Sequence, residues 1–501
     1  MDLIRAAATG SLSLLLLPSL AAQLGGEVTG DSAQRAAMAG AGMAGAGTAV
    51  DAAVNPASLG FLFPDSGPRS RGRFDGIGRL VWSPTTIETA DGREYDLGGT
   101  LSGGPFLGYA ARVGSQAFLG VSLVPTAGGQ AAYDRMTELN VATSNNNGPP
   151  WIPAKHEVAI ESSLVQLGLE PAFAWKPSDR VSFGIGASLR YTTLSVQSAT
   201  DVGLDQLKGE VPGLGGLTWE DLFRQLSAAG GRQIDSIQAD IDAEADAALH
   251  AFLQLGVMLE PDDDTRLSFW YRSPSTSNDL DGDVRVDVTA DVGQILDIYG
   301  LKGVTDFSLN VPGVRFPQQL GGAWMQRFGD QDRLFADLVW TDWSQTFDGW
   351  TATVSDPQGG DIGGMLANGT TTVDLGLDWS DAIRMSLGWE HDLFHRKLAT
   401  DPEGQTHALI NGPLLTWRGG LAYSNNPVSG SPMAGLLPIN QLHVASGCTF
   451  WGRGSGDWHL ALVVALPQSW TSGDNSVLSD LSGDQFHQAN LAVVVGYTLN
   501  W

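Results

Sequence analysis

The sequence predicts an all-β fold, an antiparallel transmembrane β-barrel of about fourteen strands. Three observations carry that expectation. Segments of strict two-residue alternation recur along the 501 residues. The row opposite the apolar one is built of Gly, Ala and Ser with few charges. The chain ends on such a strand, from Gln488, and stops on an aromatic, Trp501. Successive strand side chains point to opposite faces, so each segment has one greasy face. A soluble sheet would load its polar face with Lys and Glu. A face of small residues suits a lumen, with the apolar row turned to lipid.

Composition agrees. Lys plus Arg is 28 and Asp plus Glu is 55, a formal charge of −27. With a pI near 4.4 the chain lacks the basic face that nucleic acid requires. Hydrophobic residues at 43 % and 16 Trp can bury a core, so disorder is excluded. One cysteine, Cys448, excludes a disulfide scaffold. No run of 18 apolar residues provides a membrane-spanning helix.

Taken in order, residues 1–22 read as a secretory signal: Arg5, an apolar run from Leu12 to Leu17, then Ala21 and Ala22 before a cut near Gln23. A segment rich in Ala and Gly without alternation follows. Clear alternation then marks Val181 to Tyr191, Leu107 to Val113, Ile383 to Trp389 and Trp458 to Leu466. The expected strands lie near 68–87, 104–113, 116–126, 158–177, 179–200, 249–262, 263–290, 312–328, 332–352, 372–392, 415–424, 440–453, 456–470 and 487–501. Short acidic turns, such as Pro261 to Asp264, would lie at one end. Long segments at 127–157, 200–248, 353–371 and 471–486 would lie at the other, outside the cell. The 200–248 insertion reads as two helices. Thr218 and Asp221 form a capping box, and Trp219, Leu222, Phe223 and Leu226 share one face. Ile234, Ile237 and Ile241 mark the second helix. This insertion is either a lid packed on the rim or an apolar capture surface.

The string GAGTAVDAAVNPASLG (45–60) resembles the N-terminal hatch of the FadL/TodX family, outer-membrane transporters of long-chain fatty acids and other hydrophobic compounds. RLSFWYRSPS (266–275) is similar to a central strand of that family. FPQQLGGAWMQRFGDQDRLFADLVWTDWSQ (316–345) resembles its Pro, Gly and Trp-Ser pattern. RGGLAYSNNPV (418–428) and LLPINQLHVASG (436–447) resemble its late strands. The resemblance implies a 14-stranded barrel over 67–501, plugged by a hatch over 23–66. It implies passive uptake of a hydrophobic molecule: capture among the loops, a pocket beside the hatch, and sideways exit where the third strand kinks. The hatch and gating residues are then Asn55, Pro56, Ala57 and Leu59. The opening falls at Pro125, Gly128 and Gly129, where Pro lacks a ladder donor and Gly weakens pairing. Arg112, Glu170, Arg190, Arg272, Asp337, Arg384 and Glu390 alternate inward, with Arg266, Arg327 and Arg418. They either form ion networks that hold the plug or supply an arginine for a ligand carboxylate. The implied partners are a hydrophobic small molecule, outer-membrane lipid and the barrel-assembly machinery, which would read Trp501. A monomer without cofactor or metal is expected.

Other motifs fail their context. Gly40, Gly42 and Gly45 match G-x-G-x-x-G, but no strand precedes them. Asp279, Asp281 and Asp283 place Gly282 wrongly for an EF-hand. His391 and His395 lack the glutamate of a zinc-protease helix, and no G-x-S-x-G elbow occurs, so no enzyme is expected. Two further readings stay open: a general porin, and a structural or secretion-associated barrel that docks partner proteins. The strongly negative charge favours neutral ligands over free carboxylates.

Overall fold

The computed structural model describes residues 23–24, 27–28, 30–45, 47–63, 71–90, 92–96, 100–144, 152–230, 233–346, 350–358, 364–365, 370–374, 379–400, 406–428, 440–452, 456–473 and 483–501. The expected signal, 1–22, lies outside them. The fold is a closed antiparallel barrel of fourteen strands. We number them β1 Gly72–Ser83, β2 Thr100–Arg112, β3 Ala117–Thr143, β4 Pro153–Ser178, β5 Val181–Gly203, β6 Ser236–Leu259 and β7 Thr265–Arg272. The second half is β8 Gln319–Phe328, β9 Asp332–Thr341, β10 Ala382–Thr400, β11 Thr406–Ser424, β12 Leu442–Phe450, β13 Asp457–Thr471 and β14 Gln485–Asn500. Closure comes from β14 on β1, in register from Asn500↔Arg73 to Leu491↔Trp82. The Trp501 backbone completes it: its carbonyl accepts the amides of Arg71 and Gly72 at 2.7 and 3.1 Å. A closed sheet leaves no unpaired edge, which lipid would not tolerate.

Three hairpins interrupt this order at the long-loop end. They span Thr85–Asp96, Asn278–Val314 and Thr351–Asp374, while β1 pairs with β2, β7 with β8 and β9 with β10 beneath them. This corrects the expected continuous strands at 263–290, 312–328, 332–352 and 372–392, each of which joins a barrel strand to part of a hairpin. A second correction concerns length. The expected loop at 127–157 is largely strand, because β3 and β4 run for 27 and 26 residues. A spanning strand needs about 9–11, so these rise well beyond the bilayer. The 200–248 insertion is also shorter than expected. Ile237 and Ile241 lie in β6, paired with Val202 and Ser198 of β5. Ile237 and Ala239 are buried, and Ile241 follows them on the same strand face. The helix Trp219–Gly230 is present, and another, Thr289–Ile298, sits inside the second hairpin.

The alternation sorts the faces. Leu387, Met385 and Leu338 on the outside are 57, 56 and 52 % exposed. Aromatic pairs gather near the short turns: Trp389 with Trp417, Trp458 with Tyr497, Tyr109 with Trp501. Such a girdle places amphipathic rings at the interface of the apolar band.

Candidate functional site

The lumen is filled by the chain's own N-terminal segment. Residues 30–45 and 47–63 form short helical turns, almost wholly buried, against the inner wall. Small residues allow this. Ala and Gly let the backbone lie close to the wall, and the wall answers with glycines that face inward. A Cβ at Gly108 would stand 2.7 Å from the Val50 nitrogen, and one at Gly447 2.6 Å from the Ala37 Cβ. At Gly184 it would overlap the Ala57 nitrogen, and at Gly256 the Asn55 Oδ1.

Polar wall residues bind what the plug leaves unpaired. Asn55 Oδ1 accepts the Ala57 amide at 2.9 Å, so it caps the turn that Pro56 starts. Its Nδ2 donates to Ser268 Oγ at 2.8 Å. Ser182 Oγ donates to the Ala57 carbonyl at 2.8 Å. Asp337 accepts the amides of Gly42 and Met43 at 3.0 and 3.1 Å, and Asp75 that of Ala49 at 2.6 Å. Leu59 is fully buried beside Phe118 and Ala172. Near the last hatch turn, Phe61 lies between Lys176 Nζ and Arg266 Cζ, 4.7 and 4.6 Å from its ring centre.

The other expected lumen charges fall into separate groups. Glu170 is fully buried, accepts Ser188 Oγ at 2.6 Å and lies 3.4 Å from Arg190. Gln254 Nε2 donates both to Glu170, at 2.9 Å, and to the hatch carbonyl of Ala53, at 2.8 Å. The guanidiniums of Arg190 and Arg272 lie 4.4 and 5.6 Å from the Phe252 ring centre. Glu390 is shared by Arg333 and Arg418. Arg384 is buried on β10. Arg112 ends β2, where it donates to the carbonyls of Gly114 and Ser115 while its guanidinium lies 5.6 Å from the ring centre of the buried Phe118.

Above the hatch lies a packed aromatic cluster that the alternation does not point to, and we term it the aromatic chamber. Phe252, Phe316, Trp343, Trp350 and Trp379 form one buried cluster. Trp343 and Trp379 meet edge to face at 5.3 Å. Tryptophans beyond the ends of alternating segments were the available signal.

The third strand behaves unlike its neighbours. It pairs with β2 from Arg112↔Phe118 to Leu107↔Leu123 and no further among the described residues. With β4 it continues to Glu138↔Lys155 and, past a second register shift, to Thr143↔Pro153. Pro125 and Ala127 face Leu167 and Gln166, which are consecutive, so Thr126 is an inserted bulge residue. Gly128 and Gly129 follow it, paired with Val165 and Leu164. β3 therefore leans toward β4 and away from β2 above Leu123.

The loop residues are placed differently from a capture surface. Trp219 and Phe223 are 1 and 0 % exposed in a loop core with Val292 and Leu296; Leu222 is half-buried and Leu226 is 39 % exposed. Packing in the loop core consumes most of the helix's apolar face. Glu220, on the other face, is held below the usual carboxylate range by the hydrogen bond from Lys208 and then by Arg224. Asp291 ties this core down. It accepts the amides of Val141, Ala142 and Gln238 at 2.6, 2.9 and 2.8 Å. Asp291→Ala leaves three amides unpaired and should destabilise the loop assembly by at least about 2 kcal/mol. Hydrogen exchange at those amides should accelerate accordingly, and unchanged protection would refute the anchoring role.

A closed barrel, lipid-facing outside and plugged inside by its own N-terminal segment, defines an outer-membrane transport barrel. The sequence places it further: the model of the outer membrane protein transport protein family (OMPP1/FadL/TodX) matches residues 108–397. The chain belongs to that family. The P. putida toluene transporter TodX is similar in structure, with TM-score 0.64 at 16 % identity, over 94 % of this chain and 99 % of that one. A Pseudomonas aeruginosa FadL homologue gives 0.61 at 14 %, over 95 and 99 %. The Ralstonia pickettii toluene transporter TbuX gives 0.58 at 16 %, over 94 and 98 %. At these identities the likeness shows the fold. No curated protein matches the chain.

Proposed function

We propose that this chain takes up hydrophobic small molecules passively through the outer membrane. The ligand enters the aromatic chamber from outside, waits above the hatch, and leaves sideways between β2 and β3. The single observation that carries the reading is the combination of a blocked axis with a β3 that parts from β2. The hatch fills the lumen, while among the described residues β3 has no β2 partner beyond Leu123. Burying an apolar ligand in the chamber contributes about 0.8 kcal/mol per CH₂. Release needs a second state, and the turn held by Asn55, Pro56, Ala57 and Leu59 is the element to supply it. Toluene and long-chain fatty acids are the compounds that the similar transporters and the family suggest. The acidic balance of this chain favours the neutral one. Trp501, at the end of the closing strand, is the element we assign to barrel assembly.

The test is a pair of flux assays on reconstituted protein. Radiolabelled toluene should accumulate in proteoliposomes faster than in empty vesicles. Liposome swelling in small sugars should show no increase. Swelling without toluene uptake would establish the porin reading instead, and the absence of both would favour a docking barrel.

A further inference from the structure

We propose that the mouth of the lumen holds a head-group site, a polar pocket that takes the uncharged, hydroxyl-rich head of an amphiphile whose tail lies in the aromatic chamber. This rests on the uptake reading and names a substrate class for it.

The pocket has a volume of about 260 Å³. It forms where the hairpin Thr85–Asp96 meets the upper end of β3, the facing ends of β5 and β6, and Asp484. Pockets for whole drug-sized ligands run to roughly 300–1,000 Å³, so this one suits a head and not an entire amphiphile. Its lining mixes charge. Arg93 and Arg135 face Glu138, Asp201 and Asp484, so two cations and three anions leave 2 − 3 = −1. An anionic head meets no surplus of positive charge there. A neutral polyol can donate to the carboxylates and accept from guanidinium, amide and phenol.

The pocket is also preorganised. Asp484 accepts the Ala90 amide at 3.0 Å and Arg135 Nη1 at 2.6 Å. Asn140 Nδ2 donates to Asp201 Oδ1 at 2.7 Å, and Thr137 Oγ1 to Gln238 Oε1 at 3.0 Å.

An apolar track joins this pocket to the chamber. Trp470 packs on the chamber cluster and its ring lies 5.9 Å from that of Phe486. Phe486 is the register partner of Ile87, and Ile87 of Tyr95. Directly opposed residues share a face, so the row runs unbroken to Tyr95. The Tyr95 hydroxyl accepts the Met136 amide at 3.4 Å, on the part of β3 that has left β2. One row of apolar side chains therefore links the head pocket to the aromatic cluster and to the upper part of β3.

The experiment uses the full chain in lipid nanodiscs, titrated calorimetrically with hexyl-β-glucoside, 1-hexanol, hexanoate and glucose. The glucoside should bind at least about tenfold more tightly than hexanol or hexanoate, and glucose alone should not bind. The double variant Arg93→Gln with Glu138→Gln should lose the glucoside's advantage and keep hexanol binding. Equal affinity for glucoside and hexanol would overturn the head-group site, as would a preference that survives the double variant. Glucose binding as tight as the glucoside would overturn the amphiphile assignment. Hexanol binding without a glucoside advantage leaves the uptake reading standing; failure of hexanol, hexanoate, glucoside and toluene alike removes both.

Discussion

Valine at both Gly184 and Gly256 is expected to displace the hatch and turn a closed barrel into a leaky one. At Gly184 the new Cβ would overlap the Ala57 nitrogen, and at Gly256 the Asn55 Oδ1. Neither obstacle is the end of a flexible chain. One is backbone, and the other is held by Ser268 and the Ala57 amide. Overpacking of this kind costs about 1–3 kcal/mol per site, which raises the displaced population roughly 5- to 150-fold for each. The wall itself should survive, because β5 and β6 pair along their whole shared length. Planar-bilayer recording should therefore show frequent open events in the variant and almost none in the parent. Gly78→Val is the matched control, since nothing lies within 4 Å of a Cβ there. A silent double variant with a normally folded barrel would show that the hatch does not depend on that wall.

Glu170→Ala should give the largest loss of stability. The carboxylate is fully buried and gathers Ser188, Arg190 and Gln254. Removing it strands the Arg190 charge in the lumen and releases Gln254, which also holds the Ala53 carbonyl of the hatch. Breaking a buried pair from one side costs about 3–5 kcal/mol. The heat-induced mobility shift on gels should move to lower temperature, and protection of the hatch amides should fall. Glu170→Gln keeps an acceptor for Ser188 and should recover part of the loss. An unshifted transition in the alanine variant would mean that the pair contributes nothing net.

Much of the barrel was legible because the bilayer imposes a simple code. Val181 to Tyr191, Ile383 to Trp389 and Trp458 to Leu466 alternate without error because one face must meet lipid. The code stops at the membrane surface. Above it β3 to β6 continue as strands whose outer face meets water, so Glu157, Asp242 and Glu244 read as loop. Spacing adds to this. Ile234 precedes β6 while Ile237 and Ile241 share one face of it, so an i, i+3, i+7 pattern that crosses an element boundary imitates a helix. The hairpin Asn278–Val314 was hidden for a related reason: its strands continue the alternation of β7, and only their partners reveal the break. At the site, Asn55 and Pro56 were legible from a family string and turn chemistry. The glycines that receive the hatch were visible only as a row of small residues. Their meaning depends on which segment lies against them, and that is long-range packing.

The most direct test of the account is uptake of labelled toluene by a variant with Thr126 deleted. Thr126 is the extra residue of the β3 bulge, and its removal lets Pro125 and Ala127 continue a regular ladder with Leu167 and Gln166. The flanking side chains keep their faces, so the barrel should assemble with an ordinary gel shift. Without the bulge β3 should lie along β2 and close the side gap. The account predicts a fall in uptake of at least about tenfold, equivalent to about 1.4 kcal/mol or more on the barrier. Uptake at the parental rate through a correctly folded variant would contradict sideways exit.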